Sequence, residues 1–204
     1  MLAKTGIFLT ALLLLRLVNQ YQSVLAVHRL TSWLLVLILV GIPLLHRLWR
    51  RLPLRFWEPD LAALAHSLTM FALASLLLFP PFLLAAHCYQ TFIFGLVFTP
   101  QFPFAFLAVA QKNLFTAVVE EFFFRGWLQP LLIAPLGIRK GLALTALLFA
   151  FSHSVIALHW WHFAIFFPAL VFGWLREKTG AITASILFHA LSNMLFWWVA
   201  VCYR

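Results

Sequence analysis

Residues 61–99 read LAALAHSLTMFALASLLLF, then Pro80-Pro81, then FLLAAHCYQTFIFGLVFT, without a single Asp, Glu, Lys or Arg. A fully spanning helix needs roughly 20 mostly apolar residues. The stretch therefore reads as two membrane segments, 61–79 and 82–99, parted where the proline pair removes helix donors. The whole chain has the same character. Of its 204 residues 65% are hydrophobic and 9% charged, and the mean hydropathy is +1.02. A soluble domain is about 45–50% apolar and about 25% charged. Too little polar surface exists to cover a water-soluble particle, so the outer surface must face lipid. No sustained apolar–polar alternation appears, which argues against a membrane β-barrel.

Working outward, the apolar runs give about eight candidate helices. They cover 5–22, 30–46, 61–79, 82–99, 104–134, 140–158, 161–176 and 181–202. The predicted fold is all-α, a polytopic transmembrane helical bundle forming one membrane domain over 1–204 with no soluble domain and no internal repeat. The first run, after Lys4, is interrupted by Arg16 and has no clear small-residue cleavage site, so it reads as a retained helix. The charged turns are 47–55, 139–140 and 176–178. The positive-inside rule places all three in the cytoplasm. Two segments separate the second turn from the third, but three separate the first from the second, and an even number is needed. Either one segment between 61 and 134 fails to span or the long fifth one is two.

The net charge is +9. Its densest cluster, Arg47, Arg50, Arg51 and Arg55, lies beside a membrane run, where it suits anionic lipid headgroups; no nucleic-acid partner is expected. Cys88 and Cys202 are isolated, with no CxxC pair.

Five acidic residues exist. Glu58, Asp60 and Glu177 lie in polar turns. Glu120 and Glu121 sit side by side inside an apolar run, where a charge costs at least about 2.5–3.5 kcal/mol and usually marks function. Two adjacent carboxylates also resist ionising together. On a helix Glu121 and Arg125 share a face and can pair, while Glu120 projects about 100° away. One carboxylate can thus be held by an arginine while the other faces a cavity. A packing salt bridge explains Glu121 and Arg125 but leaves Glu120 unaccounted for. His153 follows Phe149 by four, and His189 precedes Asn193 by four. Imidazole can donate, accept or bind metal, and the amide can donate. His28 and His46 look interfacial, His66 and His87 isolated, and His159 and His162 flank Trp160 and Trp161 as part of an aromatic belt.

Glu120-Glu121-Phe122-Phe123-Phe124-Arg125 resembles the EExxxR motif of the CAAX-protease and bacteriocin-processing (CPBP or Abi) intramembrane peptidases. Phe149 to His153 resembles their FxxxH motif, and His189 to Asn193 their HxxxN motif. The order agrees, and the motif-bearing core is 115–200. The resemblance implies a glutamate-dependent intramembrane endopeptidase. In it Glu120 activates water with help from His153, His189 and Asn193 stabilise the oxyanion, and Glu121 with Arg125 holds the helix in register. It favours a mechanism without a cofactor, with zinc the alternative, since Glu and His are plausible zinc ligands but no HExxH helix is present. The implied partners are a membrane-anchored protein or peptide substrate and the lipid bilayer. The substrate is of CAAX type or one of C-terminal sorting. The short chain resembles the small prokaryotic members, which implies the cytoplasmic membrane. Buried Glu, His and Arg also serve proton relays, so a proton-coupled transporter is the second reading and a non-catalytic scaffold or immunity-type protein the third. The absence of a repeat and the completeness of the motif set favour the protease.

Overall fold

Backbone in hydrocarbon has no water to bond, so it must satisfy itself within helices. The computed structural model follows this rule. It describes residues 10, 13, 28–51, 56–102, 105–156 and 160–204, and these form α-helices with no β-strand among them. The helices are α1 (His28–Trp49), α2 (Leu61–Cys88), α3 (Phe106–Phe123), α4 (Gln129–Leu136), α5 (Ile138–Ile156), α6 (Phe166–Thr179) and α7 (Thr183–Cys202). Wide π turns follow α2 (Tyr89–Ile93) and join α3 to α4 (Phe124–Leu128), and a 3-10 turn (Trp160–Ile165) leads into α6. The expected segment 5–22 lies outside the described residues except for 10 and 13, as do Arg55 and His159.

The expected break at Pro80-Pro81 does not occur. Both prolines lie inside α2, and with its π turn the helix runs unbroken over Leu61–Ile93. The pair removes two backbone donors. Ending a helix in lipid would strip more of them, four N–H and four C=O groups per break, with no water to replace them. The 28 residues of α2 span about 42 Å at 1.5 Å per residue, more than the roughly 30 Å hydrocarbon core, so the helix tilts or projects beyond it. One helix in place of two also changes the count between the charged turns. Two helical units, α2 and the continuous α3–α4, now separate the basic turn at Arg50 and Arg51 from Arg139 and Lys140.

Among the described residues two helices are long and apolar enough to cross a membrane, Leu61–Ile93 and Thr183–Cys202, and α1 carries a shorter apolar stretch, Trp33–Trp49. The outer surface agrees. Leu61, Leu76, Leu77 and Phe92 are each more than 70% exposed, a costly arrangement in water and a neutral one in lipid.

The interior is aromatic. Phe123, Phe124, Trp127, Phe149, Phe172 and Phe188 form the main core with Leu128 and Leu175. Helix α3 packs along α7, α7 against α6 and α2, α5 between α4 and α6, and α1 against α3. The α4–α5 pair is tight because position 141 is glycine: a Cβ there would stand 2.7 Å from the Ile133 backbone.

The remaining acidic residues all have structural tasks. Asp60 caps α2, its Oδ1 accepting from Ala63 N at 2.8 Å. Glu58 accepts from Thr183 Oγ1 at 2.7 Å, pinning the start of α7. Glu177 lies in the last turn of α6 and not in a loop; its Oε1 accepts from buried Gln129 at 2.8 Å. Cys88 and Cys202 are free thiols.

Candidate active site

Helices α3, α5 and α7 each bring one of the three motifs to the same place. Glu120 and Glu121 lie in the last turn of α3, His153 in the last turn of α5, and His189 and Asn193 in the middle of α7. The i, i+4 geometry expected for Glu121 and Arg125 is present. Arg125 Nη1 donates to Glu121 Oε1 at 2.8 Å, and neither side chain is exposed at all. A second guanidinium nitrogen, Nη2, donates to Ala169 O on α6 at 2.9 Å. The guanidinium also lies over the rings of Phe149 and Phe172, 4.5 and 5.0 Å from their centroids. A charge this deep persists only when paired and bonded, and aromatic faces add attraction.

The same Glu121 oxygen accepts from His189 Nδ1 at 2.8 Å. An ionised carboxylate only accepts, so the Nδ1 of His189 carries the proton and Nε2 is left for other work. That Nε2 stands 3.7 Å from Glu120 Oε2. The ring is held flat against Phe172, with centroids 4.6 Å apart and planes at 14°. Glu121 therefore orients His189 as well as pairing Arg125, a link between α3 and α7 that local spacing does not reveal. Glu120 differs in lining the cavity; its Oε2, like that of Glu121, has no hydrogen-bond partner among the described residues.

His153 Nδ1 lies 2.9 Å from Phe149 O. A carbonyl only accepts, so this nitrogen donates and Nε2 becomes the acceptor. His162 is buried, and its ring is 6.2 Å from that of His153. It stands near the site because the 3-10 turn packs against α5.

A cavity of about 500 Å³ joins these groups. Its polar lining consists of Thr116, Glu120, His153, His189, Ser192 and Asn193. Its walls are aromatic and aliphatic, with Leu78, Phe79 and Phe82 of α2 on one side and Phe167, Pro168 and Val171 of α6 on another. Four of the six residues singled out in the sequence thus face one space, and Glu121 and Arg125 stand directly behind it. Apolar walls with a few converging polar groups are the usual make-up of a ligand site. No group of three or more His, Cys, Asp or Glu is arranged to hold a metal ion among the described residues.

Residues 100–195 match the family model of the Rce1-like type II CAAX prenyl endopeptidases. This agrees with the CPBP resemblance read from the three motifs. The Rce1-like region contains Glu120, Glu121, Arg125, His153, His189 and Asn193. That family is one of membrane-embedded proteases, and the exposed apolar helices here fit a membrane protein. No curated protein and no solved structure matches the chain.

Some parts of the site were not read from the sequence. Thr116 was legible, being one helical turn before Glu120 on the same face. Ser192 sits next to Asn193 and shares the cavity. His46 is buried and bonded: Trp127 Nε1 donates to its Nδ1 at 3.1 Å, across 81 positions of chain. His87 is not isolated either, lying 2.6 Å from the Tyr203 hydroxyl. Such contacts between distant segments have no local signal.

Proposed function

We propose that this chain is a glutamate-dependent intramembrane endopeptidase that hydrolyses a peptide bond in a membrane-anchored protein or peptide, of CAAX type or one of C-terminal sorting. The observation that carries the reading is the meeting of Glu120, His153, His189 and Asn193 in one apolar-walled cavity, with Glu120 Oε2 accepting no hydrogen bond among the described residues and Glu121 Oε1 already engaged by Arg125 and His189. Glu120 takes a proton from water, whose second hydrogen is held by His153 Nε2. The resulting hydroxide attacks the scissile carbonyl carbon. Asn193 donates its amide hydrogen to the oxyanion, and His189, when it carries its second proton, donates from Nε2 while Glu121 counters its charge. The tetrahedral centre collapses, the C–N bond breaks, and Glu120 returns its proton to the leaving amine. Proton transfer by a positioned base and donors aimed at developing charge are both large contributions to such catalysis. Water must reach membrane depth, and the cavity provides the space.

This mechanism uses protein groups alone and assigns no task to a cofactor. The partners are the substrate and the bilayer, with no nucleic acid, and the cytoplasmic membrane of a prokaryote is the proposed location. The test compares membrane proteomes of cells carrying the wild type and Glu120→Ala, mapping new C-termini. Peptides cut only by the wild type establish the activity and name the substrate. Identical proteomes, with both proteins made and folded, sink the reading; proton flux in liposomes that is lost in Glu120→Gln then favours a transporter.

A further inference from the structure

The end of α1 lies outside the region that the family model matches, yet it bears on the helix that carries the glutamates. His46 and Arg47 are consecutive, and they bond consecutive residues of the Phe124–Leu128 turn in reverse order. Trp127 Nε1 donates to His46 Nδ1 at 3.1 Å, and Arg47 Nη2 donates to Gly126 O at 2.9 Å. The Arg47 guanidinium also lies 4.4 Å above the centroid of Phe56. Phe56 in turn closes over Gly126, where a Cβ would stand 2.9 Å from its ring. This is where support is needed. A π turn replaces i→i−4 bonds by i→i−5 bonds and is a weak point in a helix, and here it carries Arg125. The backbone of the turn aims Arg125, Arg125 holds Glu121, and Glu121 holds His189.

We infer that His46 and Arg47 are positioning residues for the candidate active site. They fix the Phe124–Leu128 turn, and through Arg125 they set where Glu121 and His189 stand. The inference rests on the protease reading for what the site does, but the brace itself can be tested without it. Neither side chain lines the cavity, so the rate of chemistry depends on them and substrate binding does not.

The experiment uses the full chain in proteoliposomes, as wild type, Arg47→Ala, Arg47→Lys and Asp60→Ala. The last removes the cap of α2, which makes none of the bonds to the turn described above, and controls for general loosening. One readout is modification by N,N′-dicyclohexylcarbodiimide, an apolar reagent for carboxyl groups within membranes, with the sites found by mass spectrometry. It needs no substrate. Glu121 is expected to be protected in the wild type, Arg47→Lys and Asp60→Ala, and modified in Arg47→Ala. The other readout is kcat and KM on the peptide identified by the Glu120 comparison. Arg47→Ala should lower kcat by about 10–100-fold, as loss of a supporting partner does elsewhere, with KM within about twofold. Arg47→Lys should recover part of the rate, because its ammonium can still donate to Gly126 O. The proposal is overturned if Glu121 stays protected in Arg47→Ala, if Asp60→Ala exposes Glu121 equally, or if KM rises while kcat holds. Failure of every form to cut any peptide would count against the protease reading, and the labelling result would still decide the brace.

Discussion

Among the described residues, helices α2 and α7 are the two that are long and apolar enough to cross a membrane, and they are used in opposite ways. Only 6% of the apolar window of α2 is buried, against 44% of that of α7. Helix α7 carries His189, Ser192 and Asn193 to the cavity and packs on three neighbours. Helix α2 offers Leu78, Phe79 and Phe82 as a wall, packs on its neighbours through residues such as Ser67 and Ala74, and leaves most of its surface exposed. Two helices that both pass as membrane spans therefore do two jobs. A polar residue survives in lipid only where other helices supply partners, so chemistry collects on the helix with neighbours and the other becomes a lipid-facing wall.

The sharpest way to break this contrast is to remove the proposed catalytic carboxylate from the packed side. Glu120→Ala should reduce processing by about 10²–10⁴-fold, the usual contribution of a positioned general base, with the thermal midpoint in detergent nearly unchanged. A retained rate would end the assignment of roles. Next comes Arg125→Ala, which leaves Glu121 buried without its cation. Breaking such a pair costs about 3–5 kcal/mol, so the midpoint should fall clearly and activity with it; a midpoint equal to the wild type would mean that Glu121 finds another partner. His189→Asn keeps a donor but loses the bridge between Glu121 and Glu120. It should lower kcat by about 10–100-fold with a modest loss of stability, read from kinetics beside a melting curve.

Smaller effects belong to α2. Phe79 stacks on Phe188, with centroids 4.7 Å apart, and lines the cavity. Phe79→Ala should therefore raise KM more than it lowers kcat. Leu76→Ala, on the lipid-facing side, should change stability by no more than about 0.5 kcal/mol and leave both constants alone. If it matters as much as Phe79→Ala, α2 is packed against something other than lipid. Treatment with a chelator such as 1,10-phenanthroline should leave processing intact; its loss, restored by zinc, would replace the proposed mechanism by a metal-dependent one.

The sequence by itself determined the membrane character and the helical class, because both follow from composition and from run length against the bilayer thickness. It also determined the Glu121–Arg125 pair and the separate direction of Glu120, because 3.6 residues per turn is a local rule that holds wherever the helix is placed. The three motifs pointed to the same kind of protease as the family model that residues 100–195 match. Tertiary structure decided the rest. Whether Pro80-Pro81 ended a helix depended on lipid, not on proline alone, since breaking the ladder there exposes more backbone than the pair forfeits. That Glu121 holds His189, that His46 takes the Trp127 proton donor, and that Gln129 reaches Glu177 join positions 68, 81 and 48 residues apart. No periodicity encodes such separations, because they are set by which helices pack against one another.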